Sequence, residues 1–341
     1  MRQIEHLQRM LARTRREFDR KYCLHPEAPN GCSKTIVSAH SVQRSLLRKF
    51  ISSKGHVVQI KTSAHVEPAG LLVKPESIGI NNATTFSGFC SKHDTELFYP
   101  LETSEFRFLN QQIALLGYRA VCRELHSMEA EIAATESAWS YCSVNPDIKG
   151  FREKSERHQI MRLARCNGRA NLIKAKGHHA ELISNDSSLR FYCIEFSESP
   201  VYFNTSAFLP EWDFDGQKLQ NLNSIDDFKP ICFSAWAAGN RAAAVFCWHE
   251  SASRVCVPFI DSLRRSKPER LANRILSMAF EASDNVVFRA DWWEELSEMD
   301  RQRIVSRAAS GGGPIQRTST CLLDDGLQAI ASTVEKEHVG Y

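Results

Sequence analysis

At 341 residues with 43% hydrophobic content and a net charge of +3, the chain can bury a sizeable core and falls in the size range of two or three domains. No window approaches the roughly 18 uninterrupted apolar residues of a membrane span, and the residues after Met1 lack a signal peptide's apolar stretch, so a cytoplasmic protein with no membrane partner is expected. Eleven cysteines in that setting speak for reduced thiols or metal ligands and against a disulfide framework.

The charge is uneven. Residues 1–60 carry twelve Lys/Arg against four acids, which leaves about +8 there. The chain opens with a predicted helix over 2–20, where Ile4, Leu7, Leu11 and Phe18 form an apolar stripe opposite Arg9, Arg13, Arg16 and Arg20. Such a stripe is either an ordinary solvated face or a set of phosphate-binding groups. A turn-rich loop with Pro26, Pro29 and Gly31 carries Cys23 and Cys32, and Thr35-Ile-Val reads as a short strand. A helix over 41–53 follows, with Val42, Leu46, Leu47, Phe50 and Ile51 on one side and Arg44, Arg48 and Lys49 exposed, and Gly55 stops it. Residues 56–60 suggest a strand, 61–80 a looser stretch, and 86–98 hold Cys90 and His93 at the start of a helix.

From Thr103 to Tyr141 the apolar spacing predicts one long helix, able to join two domains or to pair with a second copy, and 145–157 reads as a linker. Strands are expected at 180–183, 189–196, 201–203 and 255–260, with a hairpin of 231–236 and 243–248 turning through Gly239 and Asn240. Helices are expected at 267–282 and 292–309, the second opened by Asp291 ahead of Trp292 and Trp293, and Gly311 begins a flexible tail. The organisation is therefore an α+β chain: an N-terminal zinc-binding domain over 1–102, a long helix and linker over 103–157, an antiparallel-sheet α+β domain over 158–310, and a tail over 311–341.

Cys23, Cys32, Cys90 and His93 carry the sharpest chemical signal. Three soft thiolates and an imidazole suit a tetrahedral zinc ion, and four protein ligands leave that ion no open position, so the staple is structural. The competing reading is that the three cysteines are small buried hydrophobes. His40, next to Ser41, is a core or capping histidine, a zinc ligand replacing Cys32, or a functional base; His56 and His65 are weaker ligand candidates, and His178-His179 reads as a loop pair.

A knuckle, a strand ending in histidine, and a Cys-x-x-His pair opening a helix resemble the zinc-stapled HNH, or His-Me finger, nucleases of treble-clef ββα type. The resemblance covers roughly residues 20–100. It implies that His40 is the general base, that Asn82 (or Asn81) holds the histidine's loop or ring, and that Asp94 binds a catalytic Mg2+ or Mn2+ beside the structural Zn2+. It also implies a bacterial defence or mobile-element setting. Ala39 stands where the family usually has a second metal ligand, and eight residues separate Cys23 from Cys32 where a knuckle usually has roughly two to four. Nucleic acid is the expected partner, through Arg13, Arg16, Arg20, Arg44, Arg48 and Lys49. The alternative from a different class is a zinc-stapled module that binds nucleic acid or protein without chemistry. The acids of the C-terminal half, Glu195, Asp213, Asp215, Asp226 and Asp227, form no catalytic pattern.

Overall fold

The computed structural model describes residues 16–67, 70–143, 151–224, 227–311 and 318–341. The chain is α+β, and all its strand pairings are antiparallel among these residues. In order it forms β1 (Ile36–His40), β2 (His56–Glu67), β3 (Gly70–Gly79), β4 (Thr85–Cys90), α1 (Ser91–Glu102), α2 (Asn110–Ser143) and α3 (Phe151–Ser184). There follow β5 (Leu189–Phe196), β6 (Tyr202–Phe208), β7 (Ile231–Ala238), β8 (Arg241–His249), α4 (Ser253–Arg264), α5 (Pro268–Ala282), β9 (Val287–Phe288), α6 (Ala290–Glu295), α7 (Glu298–Gly311) and β10 (Val334–Gly340). No helix of the described residues is long and apolar enough to cross a membrane.

Alternation along the central strands buries both faces of one sheet. Cys193, Cys232, Val245 and Cys247 face one way, into a core shared with α2 and with Leu24, Ala39, Phe86, Phe89 and Phe98. Tyr192, Ile194, Phe233, Phe246 and Trp248 face the other way, into a core shared with Phe259, Leu276, Phe280 and Trp292. Every residue of α2 from Gln112 to Cys122 is buried, as a helix clamped between the N-terminal segment and the sheet must be. Gly117 permits this close approach, because a Cβ there would lie 2.7 Å from both Cys247 Sγ and His179 Nδ1.

The sheet has eight strands in the order β10-β5-β8-β7-β6-β9-β2-β3, while β1 and β4 pair by themselves. The expected boundary after residue 102 therefore does not divide the sheet: β2 pairs with β9, which also pairs with β6. The stretch expected to be loose, 61–80, belongs largely to the β2–β3 hairpin. Pro75 is tolerated because β3 is an edge strand. The tail expected to be flexible also differs, since its end supplies β10 along β5.

Other differences have local causes. The β-branched residues of 255–260 suggest a strand, but Val255, Cys256, Phe259, Ile260 and Leu263 are the buried face of α4. Residues 180–183 are helical, because Ala175, His179 and Leu182 continue the face that α3 turns inward. The long helix begins at Asn110 instead of 103, where Gln112 caps the preceding turn by accepting from Arg107 N and donating to Glu105 O. The helix expected at 292–309 is two, divided at Leu296, where Ser297 accepts from Asp300 N to open α7. The helix of 41–53 shortens to turns over Arg44–Leu46 and Leu47–Ile51. Residues 1–15, with Arg13, and residues 145–150 of the expected linker lie outside the described residues, while the rest of that linker, 151–157, is the first part of α3.

Candidate metal centre

The β1–β4 pair and α1 build the site. Cys90 ends β4 opposite Ile36 and immediately precedes α1, so His93 falls on the first turn of that helix. The knuckle is laid alongside β4 by Tyr22 N donating to Ser87 O and Leu24 N donating to Gly88 O. Helix α2 holds it from behind, through Tyr118 Oη donating to Leu24 O at 2.6 Å and His126 Nε2 donating to Arg20 O. Gly31, at φ +69°, turns the chain close over the His93 ring.

One donor atom from each of Cys23, Cys32, Cys90 and His93 lies within 4.8 Å of the others. His93 Nδ1 is 3.5 Å from both Cys23 Sγ and Cys32 Sγ. Tetrahedral Zn–S and Zn–N bonds of about 2.3 and 2.0–2.1 Å require an S to N separation of about 3.5 Å, so the donor set fits zinc. Burial pushes the Cys90 thiol up, but the His93 amide and the hydroxyl and amide of Ser33 outweigh it and hold the group at about 6. Cys32 is pushed up to about 11 by desolvation and by neighbouring Cys23 and Cys90. Crowded thiols of this kind are relieved by a cation among them. The four residues could therefore hold a metal ion such as zinc. His25, unremarked in the sequence, stacks on His93 with ring centroids 3.8 Å apart.

His40 closes β1 at the opposite end of the pair, opposite Thr85. Its Nε2 donates to Ile80 O at 2.9 Å, which leaves Nδ1 as the unprotonated nitrogen of a neutral ring. Burial holds the imidazole below its ordinary value, Arg44 and Arg119 add to the effect, and the bond to Ile80 opposes it. The ring is thus held by a backbone carbonyl. Asn82 is exposed in the following turn, and its backbone N donates to Gly79 O. Asn81 Oδ1 instead accepts from Arg44 Nη1 at 3.2 Å.

Asp94 lies on α1 with Oδ1 buried and without a hydrogen-bond partner. Burial raises its carboxyl, and Arg119 opposes that rise. Arg119, 1% exposed, projects from α2, places its guanidinium 3.8 Å from the Phe98 ring centroid and donates from Nη2 to Glu102 Oε1 at 2.9 Å. It is the cation shared by the surroundings of His40 and Asp94. The one sequence signal for it is a charge inside the otherwise apolar run 113–122.

Arg44, Arg48 and Lys49 are exposed on the short helical segment beyond His40, and Arg16 and Arg20 lie further along the chain before the knuckle. Among the described residues the C-terminal acids serve local structure: Glu195 pairs with Arg241, Asp215 with Arg265, and Asp227 with Lys174 and Lys229, while Asp213 accepts from two amides of its own turn; Asp226 lies outside the described residues. Comparisons with family models, curated proteins and solved structures give no match.

Proposed function

We propose that the chain is a zinc-stapled, HNH-like endonuclease that hydrolyses phosphodiester bonds in nucleic acid. The observation that carries the reading is the state of His40. Its ring is neutral, its Nε2 proton is committed to Ile80 O, and its Nδ1 lone pair is available, at the end of the strand whose partner leads into the metal centre. A base in that state takes a proton from water, whose oxygen attacks phosphorus as the bond to the 3′ oxygen breaks. A magnesium or manganese ion at Asp94, when bound, would supply charge stabilisation to the departing oxygen. Arg44, Arg48 and Lys49, exposed beyond His40, would neutralise backbone phosphates.

The purified protein should nick supercoiled plasmid only with magnesium or manganese. His40→Ala should abolish nicking with zinc content unchanged, and Cys90→Ser should lose the zinc. Undiminished cleavage by His40→Ala would sink the proposal. A second reading, a zinc-stapled binding module without chemistry, is favoured by Ala39 in the place of a second ligand and by the buried cation Arg119 beside Asp94. It predicts salt-sensitive binding of nucleic acid and no turnover with any divalent ion.

A further inference from the structure

Ser41, the residue after His40, is fully buried and is gripped at three atoms. Its amide donates to Thr84 O at 2.9 Å, within the N-terminal region. The other two bonds come from the distant half of the chain: Thr205 Oγ1 donates to Ser41 O at 3.2 Å, and Asn285 Nδ2 donates to Ser41 Oγ at 2.8 Å. The Asn285 amide group also donates to Thr205 O at 3.0 Å, and the Asn285 backbone N donates to Ser283 Oγ, which itself donates to Asn204 Oδ1. Asn204 completes the chain by donating to Ser206 Oγ at 3.0 Å. Ser41, Asn204, Thr205, Ser206, Ser283 and Asn285 are all buried. A network of this kind, closed off from water, defines a single geometry for the backbone it touches.

We infer that Asn285 is a positioning residue for His40, acting through Ser41. The peptide between residues 40 and 41 sets the direction from which the imidazole leaves the end of β1. With Ser41 fixed at N, O and Oγ, the ring is directed so that Nε2 meets Ile80 O at 2.9 Å and Nδ1 stays free. The loop carrying Asn285 is itself fixed, because it runs directly into β9, which pairs with both β2 and β6. The sheet of the C-terminal half is therefore part of the device that aims the histidine, and is not a separate module tethered to it.

The inference rests on the reading of His40 as a base, but its test does not depend on turnover. Full-length protein carrying 15N-labelled histidine would be examined by NMR as wild type, Asn285→Ala and Ser41→Ala, with zinc content and thermal midpoint measured alongside. Both variants should keep their zinc yet change the His40 nitrogen shifts, away from the tautomer with the proton on Nε2, and alter the His40 titration. A residue with a merely structural role would lower the midpoint and leave those signals in place, and that result in either folded variant overturns the inference. If Asn285→Ala does not fold, Ser41→Ala carries the test, since Asn285 keeps its bond to Thr205 O there. Where the wild type cleaves, kcat should fall about 10- to 100-fold in each variant with KM little changed, the scale expected of a misplaced group. A wild type that never cleaves refutes the nuclease reading alone, because the nitrogen shifts still report the positioning.

Discussion

Replacing Arg119 by methionine tests the electrostatics beneath the candidate site. The change keeps an apolar stem over Phe98 and removes the guanidinium that lies 3.8 Å from its ring centroid and donates to Glu102. Removing one partner of a buried ion pair costs about 3–5 kcal/mol when the charge left behind stays buried. One feature reduces that figure: the Glu102 side chain is 40% exposed and can rehydrate. We therefore expect a loss of about 2–3 kcal/mol at pH 8, or a fall in Tm of roughly 3–4 °C for a chain of this size. The sign of the pH dependence follows from Asp94, whose carboxyl is raised by burial against the pull of Arg119. An acid whose folded value lies above its unfolded value costs stability when ionised, and that cost shrinks as pH falls below the folded value and is gone below the unfolded one. Without Arg119 the carboxyl rises further, so the deficit should shrink as the pH is lowered from 8 towards the ordinary carboxylate range. Urea unfolding of the zinc-loaded protein over that range measures it. A variant as stable as wild type at pH 8, or a deficit that does not change with pH, would show that Asp94 does not depend on this cation.

Two further outcomes are expected. Gly117→Ala gains up to about 1 kcal/mol of helix propensity. The new Cβ would nevertheless sit 2.7 Å from Cys247 Sγ and His179 Nδ1, groups held between α2 and the sheet, and overpacking of that kind costs about 1–3 kcal/mol. Chemical denaturation should thus find the variant less stable, and a more stable one would mean that α2 can move off the sheet freely. Charge reversal at Arg44 and Arg48 should weaken binding to duplex DNA and flatten its salt dependence, by about 0.9 in the log–log slope for each phosphate that is no longer neutralised. Binding isotherms from 50 to about 200 mM salt read this directly, and an unchanged slope would remove these residues from the interface.

What could be read from the sequence was whatever depends on near neighbours or on unusual chemistry. The hairpin through Gly239 and Asn240 has alternating apolar strands and a tight turn, and Gly239 adopts φ +62° there. Cys23, Cys32, Cys90 and His93 were legible because thiols and imidazoles attract attention wherever they fall, and the structure gathers all four. Apolar runs too short to fix a period were not: 180–183 and 255–260 are as apolar as strands, and only packing against the sheet makes them helical. The C-terminal strand was hidden by a glycine-rich segment before it and by the charged residues Glu335, Lys336 and Glu337, which suit an exposed sheet edge as well as a solvated tail.

The same distinction bears on function. Local pattern suggested a head that ends near residue 102, because the knuckle, β1, β4 and α1 are nearly contiguous apart from one inserted segment. That insertion is β2 and β3, and through β9 it joins the head to the sheet of the C-terminal half. The groups that surround His40 then come from places no local window contains: Ile80 beyond the insertion, Arg119 from α2, and Asn285 acting on the adjacent Ser41 across 244 residues of chain. A polar residue such as Asn285, between Asp284 and Val286, has no spacing that marks it. Its position becomes meaningful only once the sheet order is known. A metal site built from the head alone would need the four ligands and little else, whereas the base proposed at His40 needs its backbone fixed from several sides. The far half of the chain supplies two of those constraints, and excising residues 1–102 would remove both.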